Sequence, residues 1–346
     1  MNTYVLSKDH LKNLALELIN TGYKVISPSK DGRRFVAISS ADDLVINSNL
    51  KPSSVSMKEF FFPKTETLFF YKRNKDEYDL IDAAEVNQPQ IIFGAKPCDT
   101  SAIPIVSKVF NWDYKDEFFN KKVENTIIVG LACKFADENC FCTSVGLSPV
   151  SEKGSDLFMI PLTENTYACK VISEKGKKFV SNHSKIFTET IDGKSININE
   201  IKIPEKRFES KEVKAWLDKN FNHKLWDKLG ENCLGCAQCA FVCPTCHCFD
   251  IVDEECNHTC GRRAKNWDAC QFEIFTKHAS GHNPRNEQDK RYRQRISHKF
   301  KYYTEKFDEI LCTGCGRCTR GCPVLTDIGI ILEDINQLAK ESISNN

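Results

Sequence analysis

Two stretches of the chain carry cysteines at a spacing that does chemistry. Cys233-Leu-Gly-Cys236-Ala-Gln-Cys239-Ala-Phe-Val-Cys243-Pro244 reads C-x2-C-x2-C-x3-C-P, and Cys312-Thr-Gly-Cys315-Gly-Arg-Cys318-Thr-Arg-Gly-Cys322-Pro323 repeats it. This is the bacterial ferredoxin run for [4Fe–4S] clusters. Three thiolates in step wrap one face of a cubane, and the fourth cysteine points away to ligate the other cluster. The spacing therefore predicts cluster I on Cys233, Cys236, Cys239 and Cys322. It predicts cluster II on Cys243, Cys312, Cys315 and Cys318. Zinc sites of four cysteines show two CxxC pairs without the third cysteine in step or the closing CP. Two adjacent clusters point to electron relay, because a structural staple needs no second redox centre.

A second group of thiols lies earlier in the chain. Cys98 follows an apolar run in IIFGAKPCD, and Cys133, Cys140 and Cys142 follow another in LACKFADENCFC. Loops at the carboxyl ends of buried strands are where open α/β sheets place ligands. These four either hold a third [4Fe–4S] cluster or are buried thiols without metal. Between the two repeats, Cys246, Cys248 and Cys270 fall near cluster II. They could bind a further centre, but read more simply as small apolar residues. Cys256, His258 and Cys260 sit in a polar loop and make a weak metal site at best. His278, His282 and His298 read as structural histidines.

The elements that position these residues follow from periodicity. Ser7 is placed to cap a helix with Leu11, Leu14, Leu18 and Ile19 on one face, and Gly22 falls beyond its end. Short apolar runs at Tyr23–Ile26, Phe35–Ile38, Phe60–Phe62, Leu68–Tyr71, Ile91–Gly94 and Thr126–Leu131 read as strands. So do Phe158–Leu162, Tyr167–Ile172 and Lys178–Val180. Residues 100–110, 211–220 and 327–341 read as helices, the last ending in a frayed SISNN tail. The fold class is α+β: an N-terminal mixed α/β sheet domain over residues 1–200, a linker and helix over 201–224, and a helical bis-[4Fe–4S] ferredoxin-type domain over 225–346.

Composition limits the function classes. The chain has 346 residues, 48 basic and 47 acidic side chains, and a net charge of +1. It therefore has no global field for nucleic acid or an anionic surface. No apolar run is long enough to span a membrane, and the N-terminus lacks the pattern of a signal peptide. Thirteen of the eighteen cysteines fall within the 90 residues from Cys233 to Cys322. In the reducing cytoplasm such density means metal rather than disulfides. The basic, aromatic stretch GHNPRNEQDKRYRQRISHKFKYY (281–303) reads as a solvated helix face, a docking surface between redox subunits, or a nucleic-acid contact. There is no GxGxxG, no P-loop and no nucleophile with its base. Asp99 and Asp268 read as caps or turn formers, so catalysis by this chain alone is not expected.

Taken in order, KEFFFPKTETLFFY, IIFGAKPCD, ENCFCTSVG, CLGCAQCAFVCPTCHCFD, NWDACQF, RYRQRISHKF and LCTGCGRCTRGCP resemble the family of sulfhydrogenase beta subunits and their counterparts in anaerobic sulfite reductase. The likeness runs from about residue 55 to 330 and is weaker before it. It implies an electron-transfer subunit of a cytoplasmic anaerobic complex. The implied partners are an FAD- and NAD(P)-binding reductase subunit with a [2Fe–2S] site, and a hydrogenase or siroheme sulfite reductase module.

Overall fold

A computed structural model describes residues 3–75, 77–83, 88–193 and 196–344; the last two residues of the SISNN tail lie outside the described residues. The N-terminal half forms an eight-stranded mixed sheet. Its strands are β1 (Thr3–Ser7), β2 (Lys24–Pro28), β3 (Phe35–Ile38), β6 (Gln90–Ala95), β7 (Thr126–Leu131), β8 (Leu157–Pro161), β9 (Thr166–Val171) and β10 (Thr190–Ile191). The order is β10-β1-β9-β8-β7-β6-β2-β3. The central strands β2, β6, β7 and β8 run parallel. Every residue of β6 and β7 is buried, as expected of parallel strands covered on both faces.

Helix 8–20 covers one face. Ser7 caps it, its hydroxyl accepting from the His10 amide at 3.0 Å. Leu11, Leu14 and Leu18 pack with Ile91, Phe93 and Val129. Helices 97–100, 102–110 and 117–124 connect β6 to β7. Because β6 and β7 are parallel neighbours, the loops that leave them emerge side by side. Those loops carry Cys98 and Cys133.

Several sequence expectations need correction. Phe60–Phe62 is not a strand: a 3₁₀ turn spans Met57–Phe60, and Phe61 and Phe62 are both buried. Two consecutive buried rings do not fit the alternation of a half-covered strand. Lys178–Val180 lies in helix 174–182, where Gly176, Phe179 and Val180 are buried at helical spacing and Ser173 is the cap. The C-terminal half is not purely helical, since it contributes the hairpin β11 (Phe249–Asn257) and β12 (Cys260–Trp267).

That hairpin pairs with β4 (Thr65–Asn74) and β5 (Glu77–Asp82) in a second, antiparallel sheet of order β11-β12-β4-β5, so the chain has two sheets rather than one. Charged residues masked the strands in the sequence. Across the hairpin Arg263 pairs with Asp253 at 2.7 Å and Arg262 with Glu254 at 2.6 Å, which makes a polar surface strand stable. At its tip Cys256 and Cys260 are joined by a disulfide, which corrects both the reading of a polar loop and that of a weak metal site.

Helices 210–219, 225–231, 288–297 and 328–344 surround the repeats, around a core of Val213, Trp216, Trp226, Ile296, Leu332 and Ile335.

Candidate metal centre

The two repeats fold alike. Gly235 and Gly314 take φ of 65° and 62°, and the residues two further on, Ala237 and Gly316, take 60° and 68°. Each loop is followed by a one-turn helix, 238–241 and 317–320, that begins next to the third cysteine of its motif. Left-handed backbone at two alternate positions curls each loop around its own centre. Alanine accepts this at Ala237 at a cost of roughly 1–2 kcal/mol. The second loop could not accept a side chain at either glycine. A Cβ at Gly314 would stand 2.5 Å from the Cys142 amide nitrogen, and one at Gly316 2.6 Å from the Asn139 carbonyl oxygen. The ENCFC loop is seated directly on the second repeat.

One cavity is lined by Cys233, Cys236 and Cys239 of the first repeat together with Cys318 and Cys322 of the second. Four of these five are the residues expected at cluster I; the fifth, Cys318, is expected at cluster II and borders the same cavity. The Thr326 amide donates to Cys322 Sγ at 3.3 Å and Gln288 Nε2 to Cys233 Sγ at 3.2 Å. Cys236 is exposed, and Leu234 and Val324, which line the same cavity, are 67% and 39% exposed, so this centre has an edge at the surface.

The other four residues lie deeper. Cys243, Cys312 and Cys315 are buried. Cys243 and Cys315 are electrostatic neighbours of Cys318, and Cys243 is also a neighbour of Cys312. Lys299 ties the group together: its Nζ donates to Cys243 Sγ at 3.4 Å, to Thr245 Oγ1 at 3.0 Å and to the Leu311 carbonyl at 2.8 Å. The Gly314 amide donates to Cys312 Sγ at 3.4 Å. Burial pushes the Cys312 thiol up to about 12 and the Lys299 ammonium opposes it.

The third group is partly assembled. Cys133 is a neighbour of both Cys98 and Cys142, and Cys315 lies close to Cys98 and Cys142. Cys140 turns its thiol to Asp137 Oδ1 at 3.2 Å, a carboxylate also held by Arg320 at 2.8 Å. Burial raises Cys140 to about 12 and Cys142 to about 11. Lys96 is buried beside Cys133 and Cys98, donating to the carbonyls of Asn47 and Ser48; desolvation lowers it to about 8. Cys169 lies in the sheet core away from these groups.

These residues fit iron–sulfur cubanes. The donor set is soft thiolate, backbone amides point at the sulfurs, and buried cations face them, which are the features that hold and tune such clusters. Among the described residues no three His, Cys, Asp or Glu side chains converge as a single ion requires. A cubane instead offers each thiolate its own iron.

Sequence reasoning missed the cations. The helical part of the 281–303 stretch is not a solvated face: Tyr292, Arg295, Ile296, Lys299, Phe300 and Tyr303 are all buried, whereas most of residues 281–287 are exposed. Their spacing of three and four residues was the available signal, hidden by the charge of Arg295 and Lys299. Of the other basic residues there, Arg293 lies over the Phe221 ring at 3.9 Å, Lys301 pairs with Asp218 at 3.1 Å and Lys290 with Glu287 at 2.7 Å. Asp99 is neither a base nor a simple cap: it forms an ion pair with Arg317 at 2.7 Å, both side chains fully buried.

Residues 232–326 match the model of a 4Fe-4S dicluster domain. Sulfhydrogenase 2 subunit beta of Pyrococcus furiosus is 30% identical to this chain over 316 residues, which cover 88% of this chain and 89% of that protein. No solved structure matches. The dicluster match and this relative identify an iron–sulfur electron-transfer subunit. Among the described residues no helix is long and apolar enough to cross a membrane.

Proposed function

The chain belongs to the family of sulfhydrogenase beta subunits, and from that premise we propose that it relays electrons between an FAD- and NAD(P)-binding subunit carrying a [2Fe–2S] site and a terminal hydrogenase or sulfite (sulfur) reductase module. The observation that carries this reading is the cavity in which three cysteines of one repeat meet the last two cysteines of the other. Cluster I would be held there, by Cys233, Cys236, Cys239 and Cys322. Cluster II would be held by Cys243, Cys312, Cys315 and Cys318, and a third cluster by Cys98, Cys133, Cys140 and Cys142. When bound, such clusters supply one-electron transfer.

The chain's own residues set the direction and the energy of that transfer. Cys236 opens cluster I to the surface, with Leu234 and Val324 as an apolar collar against which a redox partner can exclude water. Cluster II and the third group are enclosed by the helices of the C-terminal half and by the ENCFC loop. Lys299, 2% exposed and 3.4 Å from Cys243 Sγ, stabilises the more negative, reduced form of cluster II. Lys299→Met is expected to lower its midpoint potential by about 60 mV or more, the one-electron equivalent of about 1.4 kcal/mol. An EPR-monitored redox titration measures this, and an unchanged potential would count against Lys299 as the tuning charge.

The reading places the complex in an anaerobic cytoplasm. Its test is anaerobic purification of the tagged chain with its native partners. The expected complex contains flavin, and NAD(P)H bleaches the cluster absorbance. Hydrogen and sulfite are then offered separately to identify the terminal module. A chain that isolates alone, and whose clusters no flavoprotein reduces, would refute the proposal.

A further inference from the structure

Two glutamine amides meet at the Cys233 sulfur. Gln271 lines the cluster I cavity and is 1% exposed. Gln288 is the first residue of helix 288–297 and is half-buried. Its Nε2 donates to Cys233 Sγ at 3.2 Å and to Gln271 Oε1 at 2.7 Å, so both N–H bonds of the amide are used. Gln271 turns its carbonyl oxygen, an acceptor, to the same sulfur at 3.8 Å. Among the described residues no side chain other than Gln288 donates to Cys233, Cys236, Cys239 or Cys322; the Thr326 donor on Cys322 belongs to the backbone.

A glutamine can present either end of its amide, and its neighbours decide which. Arg291 donates to Gln288 Oε1 twice, from Nε at 3.0 Å and from Nη2 at 2.8 Å. A guanidinium has donors and no acceptor. The oxygen of Gln288 must therefore face Arg291, and its N–H bonds must face Cys233 and Gln271. Gln271 is fixed in the same way: its Nε2 donates to the Arg291 carbonyl at 3.1 Å, which leaves Oε1 for Gln288. Arg291 is anchored in turn by Nη1 on the Arg285 carbonyl at 2.8 Å. The first repeat loop packs against this amide at a glycine, since a Cβ on Gly235 would stand 3.0 Å from Gln288 Oε1.

A cation pulling on the amide oxygen polarises the N–H bonds at the other end, and hydrogen bonds in such a chain strengthen one another. Reduction adds negative charge to a cubane and its thiolates. A donor on a ligand sulfur therefore binds the reduced form more strongly than the oxidised one and raises the potential.

We propose that Gln288, oriented by Arg291 and Gln271, is the positioning residue that sets the potential of cluster I through its N–H bond to Cys233. The proposal rests on the reading that Cys233, Cys236, Cys239 and Cys322 hold a cubane. It gives cluster I a tuning group of its own, separate from Lys299 at cluster II, and so a separate control on the driving force between the two.

The test is an EPR-monitored redox titration of the anaerobically purified full-length protein beside Gln288→Met and Arg291→Met. Methionine keeps the length of the glutamine side chain and removes its donor. In Gln288→Met the equilibrium constant for reducing cluster I is expected to fall about tenfold, about 59 mV for one electron. Arg291→Met leaves the amide in place without its cation and is expected to shift the same couple in the same direction by about threefold. Iron content, and the couple that Lys299→Met moves, are expected to stay at their parent values. An unchanged cluster I couple in Gln288→Met would overturn the proposal. Lost iron, or an equal shift of both couples, would overturn it by showing a structural role instead. Should Gln288→Met fail to fold, the parent chain decides, prepared with isotope-labelled side-chain amide nitrogen in its glutamines. Pulsed EPR of reduced cluster I is then expected to show a coupling to that nitrogen, and its absence would overturn the proposal. A parent chain without iron would instead refute the cubane reading itself, so the two failures are distinguishable.

Discussion

Cys315→Ala is expected to remove cluster II: about four iron atoms per chain are lost, and electron flow from a reduced flavoprotein partner through the chain falls to near background. Cys315 is 8% exposed in the second repeat loop, where the left-handed Gly314 and Gly316 leave no slack for another residue to take its place. Association with the partner is expected to survive, because the exposed collar of Leu234 and Val324 belongs to the other centre. Iron analysis, EPR and anaerobic stopped-flow reduction check this together. A variant that keeps its iron and relays normally would show that the ligand assignment is wrong.

Arg317→Ala is expected to be the most destabilising change outside the cysteines. Arg317 stands between Cys315 and Cys318 and crosses to the N-terminal sheet. Its Nη2 pairs with Asp99 Oδ2 at 2.7 Å, and its Nε donates to the Ser53 carbonyl at 2.6 Å. Both side chains of the pair are fully buried. The other carboxylate oxygen of Asp99 has no hydrogen-bond partner, so Arg317 is its principal compensation. Removing one member of such a pair leaves a buried charge and costs about 3–5 kcal/mol, whereas replacing both with apolar residues is often neutral. Anaerobic denaturant melts should show that loss for Arg317→Ala and recovery of most of it in Asp99→Leu/Arg317→Met. A single-variant loss below about 1 kcal/mol, the scale of a surface pair, would contradict the role given to this contact.

The repeats were the most legible part of the chain, because their chemistry is written in local spacing. Strands β3 and β7 were legible to the residue, since uninterrupted Ile, Val and Phe runs mark buried strands. Helix 8–20 was marked by its cap and by the leucines on one face. Non-local and compensated features were hidden. The hairpin β11–β12 looks polar because its charges are satisfied across the strands and against β4, some 190 residues away in sequence. The helical stretch with Arg295 and Lys299 looks like surface because binary patterning counts a cation as exposed, whereas here the cations are buried facing sulfur. Asp99 and Arg317 meet only in the folded chain, so neither could be recognised as half of a pair. The proximity of the ENCFC loop to Gly314 is likewise a tertiary fact, although the glycines at 314 and 316 hinted at a close approach.

The central claim is that eight thiolates from a duplicated loop hold two cubanes close enough to exchange electrons. The most direct measurement is metal and sulfide analysis with EPR on the isolated chain, prepared anaerobically and reduced with dithionite. The account predicts a brown protein with iron and sulfide in equal amounts, at least about eight of each, and a reduced spectrum broadened by coupling between neighbouring clusters. A colourless chain holding zinc in place of iron, with no signal after reduction, would contradict it.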